Sequence, residues 1–314
     1  MQTSAPTPAA ENASPDVPVL DCDLLVAGSG AAGLAAAVTA AHCGLKVVLA
    51  EKAEMLGGTT AWSGGWIWAP GNPVCRRAGI EEEPGAPRRY LEAVLGAQFD
   101  AGLVDAFLAA APEMVAFLER ETALEFEGGL HIPDTYSRQP GAGMGGRSVI
   151  AKAYDGRALG ADIALLRPPL RETSFLGLTI QAGADLRAFM TAARSARSAL
   201  HVAGRLARGL RDRALHGRAM ELRNGAALVA RLVRSARDLG VDLRVASGVE
   251  RLLEEDGAVV GARLATRSGP LSVRARRGVV LACGGYPHDL ARRAATFPRP
   301  ESHATLAVPT AAGD

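Results

Sequence analysis

Residues 28–33 read Gly-Ser-Gly-Ala-Ala-Gly, and an acid, Glu51, stands 18 residues beyond the last of those glycines. Glycines at this spacing, with an acid near the roughly 20-residue mark, are the parts needed to hold a diphosphate and a ribose. Gly28 permits a tight turn, Gly30 lets the backbone approach a pyrophosphate, and Gly33 lets a helix lie close to a strand. A helix opening at this turn presents free N–H groups and about half a positive charge to the phosphates. Glu51 can accept hydrogen bonds from the ribose hydroxyls. The elements that must position these residues flank them. Apolar residues 24–27 enter the turn, small residues from 34 to about 42 form a helix, and apolar residues 47–50 end on Glu51. That order is a βαβ unit for the ADP half of a dinucleotide.

The glycine spacing means something only in that setting. With 36 glycines in 314 residues it recurs by chance, and Gly141-Ala-Gly143-Met-Gly145-Gly146 fits the same pattern. This second match follows Ser-Arg-Gln-Pro rather than a strand, and no strand ending in an acid comes after it. It reads as a flexible loop.

Beyond Glu51 and Lys52 lies Gly57-Gly58-Thr59-Thr60-Ala-Trp-Ser63-Gly64-Gly65. Paired glycines let amides approach a planar ring or a phosphate without side-chain clash, and Thr59, Thr60 and Ser63 add short donors. A nicotinamide enzyme would usually continue here into plain α/β units, whereas a glycine-and-threonine loop after the second strand suits FAD. Trp62, Trp66, Ile67 and Trp68 argue against a merely solvated loop, being costly to leave in water. A second cofactor-facing element is expected at Cys283-Gly284-Gly285, where an apolar strand over 279–282 ends. The strand at 241–245, followed by Ser247-Gly248-Val249, is placed to lie against an adenine through backbone groups.

Composition narrows the classes. The formal net charge of +2 points to no particular partner, and no nucleic acid is expected. Cys22, Cys43, Cys75 and Cys283 form no CxxC pair and no cluster with histidine, so neither a metal site nor a disulfide framework is expected. No apolar stretch reads as membrane-spanning, and residues 1–18 have neither the basic start nor the apolar centre of a signal peptide. Those residues read as a disordered tail, and a cytoplasmic protein is the default. Aromatic residues make up only 4%, so aliphatic packing must dominate the core.

Helical patterns follow at 86–97 and 103–121. Residues 128–183 read as irregular, and 184–220 as one long arginine-studded helix with a solvated face. A helix runs from Asn224 to about residue 239. Short strands are expected at 241–247, 249–254, 258–267 and 271–276.

In this order the segments resemble the FAD-binding part of the fumarate reductase/succinate dehydrogenase flavoprotein family, and within it the 3-ketosteroid 1-dehydrogenase-like branch. The resemblance rests on DLLVAGSGAAGLAAA, EKAEMLGGTTAWSGGWIWAPGN, PDTYSRQPGAGMGGRS, NGAALVARLVRSARDLGV and VVLACGGYPHD, and covers about 20–314. It implies an α/β fold: a Rossmann-like, ββα-type FAD domain over 19–314. A mostly parallel central sheet, a small antiparallel layer and a helical or irregular insertion at about 128–220 would make it up. It implies FAD contacts from Ala32, Glu51, Thr59, Thr60, Gly64 and Gly65, from the Val249 backbone and from Asp314. The chain ends where most of the family's substrate-capping domain would follow, so it resembles the N-terminal portion of a longer enzyme.

The implied chemistry is flavin-mediated dehydrogenation or reduction of a C–C bond next to a carbonyl, in which a base removes the proton alpha to that carbonyl. The substrate would be a small molecule, steroid-like or dicarboxylate-like, and the electron acceptor is left unspecified. The steroid branch has a tyrosine directly after the aspartate of the third segment. Here Thr135 follows Asp134, and the candidate base is Tyr136, one place later; the alternative is a loop tyrosine packed under the flavin domain. Tyr286 and His288 are further candidates, while His131 and His216 read as surface residues. Two other readings stay open: a non-catalytic FAD-binding module, and a nicotinamide-dependent dehydrogenase sharing only the βαβ unit.

Overall fold

The computed structural model describes residues 17–313. Most of the expected N-terminal tail, residues 1–16, and the candidate cofactor contact Asp314 lie outside the described residues. In chain order the strands are β1 (Val19–Ala27), β2 (Val47–Ala50), β3 (Trp66–Trp68), β4 (Phe126–Gly128), β5 (Ser148–Ala151), β6 (Tyr154–Asp155), β7 (Ser174–Phe175), β8 (Leu178–Thr179), β9 (Glu221–Leu222), β10 (Asp242–Arg244), β11 (Ser247–Glu255), β12 (Ala258–Thr266) and β13 (Gly269–Leu281). The α-helices are α1 (Ala31–His42), α2 (Pro73–Arg77), α3 (Ala86–Leu95), α4 (Ala101–Glu121), α5 (Ala184–Thr191), α6 (Ala196–His216), α7 (Asn224–Asp238) and α8 (Leu290–Thr296).

Six strands pair in the order β10-β2-β1-β13-β12-β11, parallel from β10 to β13 and antiparallel from there to β11. Strand β2 and the last four residues of β1 are apolar on both faces because both faces are covered. Val26, Val47 and Leu49 pack with α1, α7 and the Ala111, Val115 and Leu118 side of α4. Leu25, Val48 and Ala50 pack instead with Ala262, Leu264, Val273 and Ala275. The antiparallel strands therefore close the second face. Strand β13 takes part in both arrangements by slipping register against β1 between Cys22 and Leu24, beside Gly278 at φ 131°. An irregularity of this kind bends a strand, which is why one long strand stands where the sequence reads as two.

Other differences have local causes. The expected helix at 184–220 is two helices, because the Ser195 side chain accepts the Ser198 N–H and caps a new start. Its face is not wholly solvated: Arg205 is fully buried. Within the irregular region, β5 is wholly buried and pairs with β3 and β4. Helix α4 revises the membrane reading. By length and composition it is the one helix among the described residues able to cross a membrane, and its Val104, Ala111, Val115 and Leu118 are buried in the protein.

Candidate functional site

Helix α1 begins at the glycine turn itself. Gly30 is its N-cap and offers no side-chain acceptor, so the first amides of the helix look outward. Thr60 Oγ1 accepts the Ala31 N–H at 3.0 Å, and the exposed Ala32 comes next in the first turn. The turn is tight enough that two glycines are obligatory. A Cβ on Gly28, at φ 103°, would sit 2.4 Å from the Ala282 carbonyl oxygen, and one on Gly33 would sit 1.9 Å from the Gly28 oxygen. At Gly30, by contrast, the nearest atom to such a Cβ is Thr60 Oγ1 at 3.6 Å, which leaves room on the open side of the turn.

That open side is a cavity of about 830 Å³ at the carboxyl ends of β1, β2 and β13. Its walls are residues 27–32, 50–52, 58–60, 249–252 and 281–285, with Pro287, Ala307, Val308, Thr310 and Ala311 closing one side. Ten of the expected contacts meet here: Gly28, Gly30, Ala32, Glu51, Lys52, Gly58, Thr59, Thr60, Val249 and Gly284. Gly33, Gly57, Gly64 and Gly65 do not line it. Gly33 serves the helix–strand approach. Gly57 and Gly65 serve packing as well: their Cβ atoms would fall 2.9 Å from Ala61 Cβ and 2.5 Å from the Asn224–Gly225 peptide. Gly64 has Trp66 Cδ1 as its nearest neighbour, at 3.6 Å.

Glu51 is 7% exposed and lines the cavity, but most of its bonds are internal. Oε2 accepts the Ser29 N–H at 2.9 Å and the Ser29 hydroxyl at 2.5 Å, and Oε1 accepts the Ala53 N–H at 2.8 Å. Ser29 Oγ in turn accepts the Gly57 N–H at 2.9 Å. Arg167 adds a second charge: burial pulls its pKa down, the Glu51 charge acts against that, and its guanidinium lies 5.3 Å from the Trp62 ring centroid. Sequence reasoning passed over Ser29, Arg167, Ala307 and Val308. The serine's place between two glycines and its closeness to an acid in the next strand were the only signals available.

Tyr136 is 58% exposed, accepts no place in the cavity wall and donates its backbone N–H to Tyr90 Oη at 3.2 Å. Its loop is tied rather than loose. Asp134 accepts from Trp68 Nε1 and Gly143 N, both at 2.8 Å, and from Arg147 at 2.5 Å, while Arg147 also bonds Glu82. The second glycine match therefore wraps a buried ion pair, which corrects its reading as a flexible loop. Tyr286 Oη bonds Thr296, and the His288 ring bonds the carbonyl of Ala307; neither Tyr286 nor His288 lines the cavity.

A model of the family described as FAD binding domain matches residues 23–314. The chain belongs to that FAD-binding family. Its cofactor is FAD, and the cavity fits it: a glycine turn at a helix N-terminus for a diphosphate, a carboxylate at the end of the second strand, and a long trough beyond. Among curated relatives, the 4-oxocyclohex-2-ene-1-carboxylate 5-dehydrogenase of Sinomonas cyclohexanicum is 40% identical over 88% of this chain and 47% of its own length. The 3-oxosteroid 1-dehydrogenase of Mycobacterium tuberculosis is 36% identical over 86% of this chain and 48% of its own. Among solved structures, 3-ketosteroid Δ1-dehydrogenase from Sterolibacterium denitrificans, in complex with 1,4-androstadiene-3,17-dione, superposes with a TM-score of 0.81 at 30% identity, over 92% of this chain and 52% of that one. A flavocytochrome c3 fumarate reductase shares the fold, with a TM-score of 0.58 at 21% identity over 94% of this chain and 39% of that one. The chain thus spans about half the length of the curated relatives it matches.

Proposed function

We propose that this chain is the FAD-binding portion of an oxidoreductase that exchanges hydrogen across a C–C bond beside a carbonyl. The observation that carries the reading is the convergence of Gly28, Gly30, Ala32, Glu51 and Thr60 on one trough, in a chain similar to two dehydrogenases whose names specify ring ketones. A cyclic ketone is the substrate class favoured over a dicarboxylate, because the fumarate reductase likeness is one of fold. The bound flavin would supply the two-electron acceptor. The protein's own part is to hold the diphosphate at the α1 amides, to hold the ribose at Glu51 and to exclude water along the trough. The proposed unit is one FAD domain over 19–314 with 128–220 as its insertion. Tyr136, exposed and outside the cavity wall, is given no catalytic part in the proposal.

Purification tests this directly. A yellow preparation that keeps flavin absorbance through dialysis is expected, with bleaching on adding a 3-ketosteroid if the chain turns over alone. Retained colour without bleaching identifies a binding portion that needs the rest of its enzyme. A colourless chain that binds NADH would overturn the reading in favour of a nicotinamide enzyme.

A further inference from the structure

The Glu51 carboxylate has less freedom toward a ligand than its place at the end of β2 suggests. An ionised carboxylate only accepts hydrogen bonds, and its two oxygens offer about four acceptor sites in all. Ser29, a buried residue of the cavity wall, fills two of them on Oε2 with its amide and its hydroxyl. The hydroxyl proton is committed there, while Ser29 Oγ takes the Gly57 N–H. Ala53 fills one site on Oε1. Among the described residues these are the partners of the carboxylate, which leaves a single site, on Oε1, and Glu51 lines the cavity with 7% of its surface open.

We propose that Ser29 is a positioning residue that occupies Oε2, so that Glu51 holds the adenosine ribose of the cofactor through one hydroxyl only, at Oε1. The inference rests on the FAD reading above. It distinguishes this site from one in which the acid grips both ribose hydroxyls. It also ties the 57–58 turn to the ribose contact through one serine hydroxyl.

The test uses the full chain, stripped of flavin and titrated with FAD and with two FAD analogues that lack either the 2′- or the 3′-hydroxyl of the adenosine ribose. Flavin fluorescence reads the dissociation constants. One deletion is expected to weaken binding about tenfold or more, the scale of a lost hydrogen bond to a charged group, and the other less than about twofold. In Ser29→Ala the vacated site on Oε2 accepts the second hydroxyl, so the contrast between analogues narrows while the circular dichroism spectrum is unchanged. Equal losses for the two analogues in the native chain, or no loss for either, overturn the inference and leave the FAD reading standing. An undiminished contrast in a folded Ser29→Ala chain also overturns it. Failure to bind FAD itself overturns both. The native-chain comparison decides the matter even where the variant does not fold.

Discussion

Glu51 and Gly30 border the same trough, yet substitution should damage them in different ways. Glu51→Ala removes an acceptor of charged hydrogen bonds, so FAD affinity is expected to fall by roughly 1.5–3 kcal/mol, read from flavin retained on dialysis. Unchanged retention would remove the acid from the site. Gly30→Val puts branched carbons on the open side of the turn, where the backbone must approach the diphosphate, and should abolish retention while the chain still folds. Tyr136→Phe serves as the contrast: its ring lies outside the cavity wall, so retention should match the unaltered chain. The two sensitive positions were legible in the sequence because glycine spacing and an acid after a strand are local facts. Ser29 was not, because its role is set by a partner 22 residues away whose orientation only the folded turn defines.

At the scale of elements, the helical pair α5–α6 is held by a buried charge cluster. Arg205 is fully buried and bonds Asp185, whose other oxygen lies 2.9 Å from His201 Nε2. Burial alone would raise the Asp185 pKa, but hydrogen bonds from Arg205, His201 and the Gln181 amide hold it below the ordinary carboxylate value. A lowered folded-state pKa means that the ionised carboxylate stabilises the fold above the unfolded value of 3.8 and that this contribution is lost as pH falls through the folded one. Asp185→Asn should therefore destabilise the chain at neutral pH and flatten the acid limb of its denaturation curve. An unchanged acid limb would count against the cluster. Arg205 keeps the Thr179 carbonyl at 3.1 Å and the Glu221 carboxylate at 3.6 Å, so the loss should stay below the roughly 3–5 kcal/mol of a buried charge left with no partner. The same scale explains Gly65, which stands at φ 72° with its α-carbon against the start of α7. Gly65→Ala should cost roughly 1–3 kcal/mol in urea unfolding without a change in the affinity of the folded chain for FAD. The parallel core was legible because apolar runs have no other home. The buried arginine was not, because a helix face studded with arginine looks the same whether its partner is water or an aspartate from the preceding helix.

For the whole molecule, the thiols report on folding and on the cofactor together. Cys22 is buried between the parallel strands and the antiparallel layer, and burial pushes its thiol up to about 11; Cys75 is raised for the same reason. Cys43 and Cys283 are exposed, and Cys283 lies on the cavity wall beside Gly284. Alkylation needs access to the thiol, so iodoacetamide should label the exposed Cys43 and Cys283 in the folded chain and reach Cys22 and Cys75 only in denaturant. FAD should change one of those outcomes. A dinucleotide lying along the trough covers Cys283 and leaves Cys43, at the far end of α1, as reactive as before. Peptide mass spectrometry separates the two sites. Protection of Cys283 alone would mean that β13, contributed from the far end of the chain, closes the same cofactor cavity that the first glycine turn opens; equal labelling of Cys283 with and without FAD would mean that it does not.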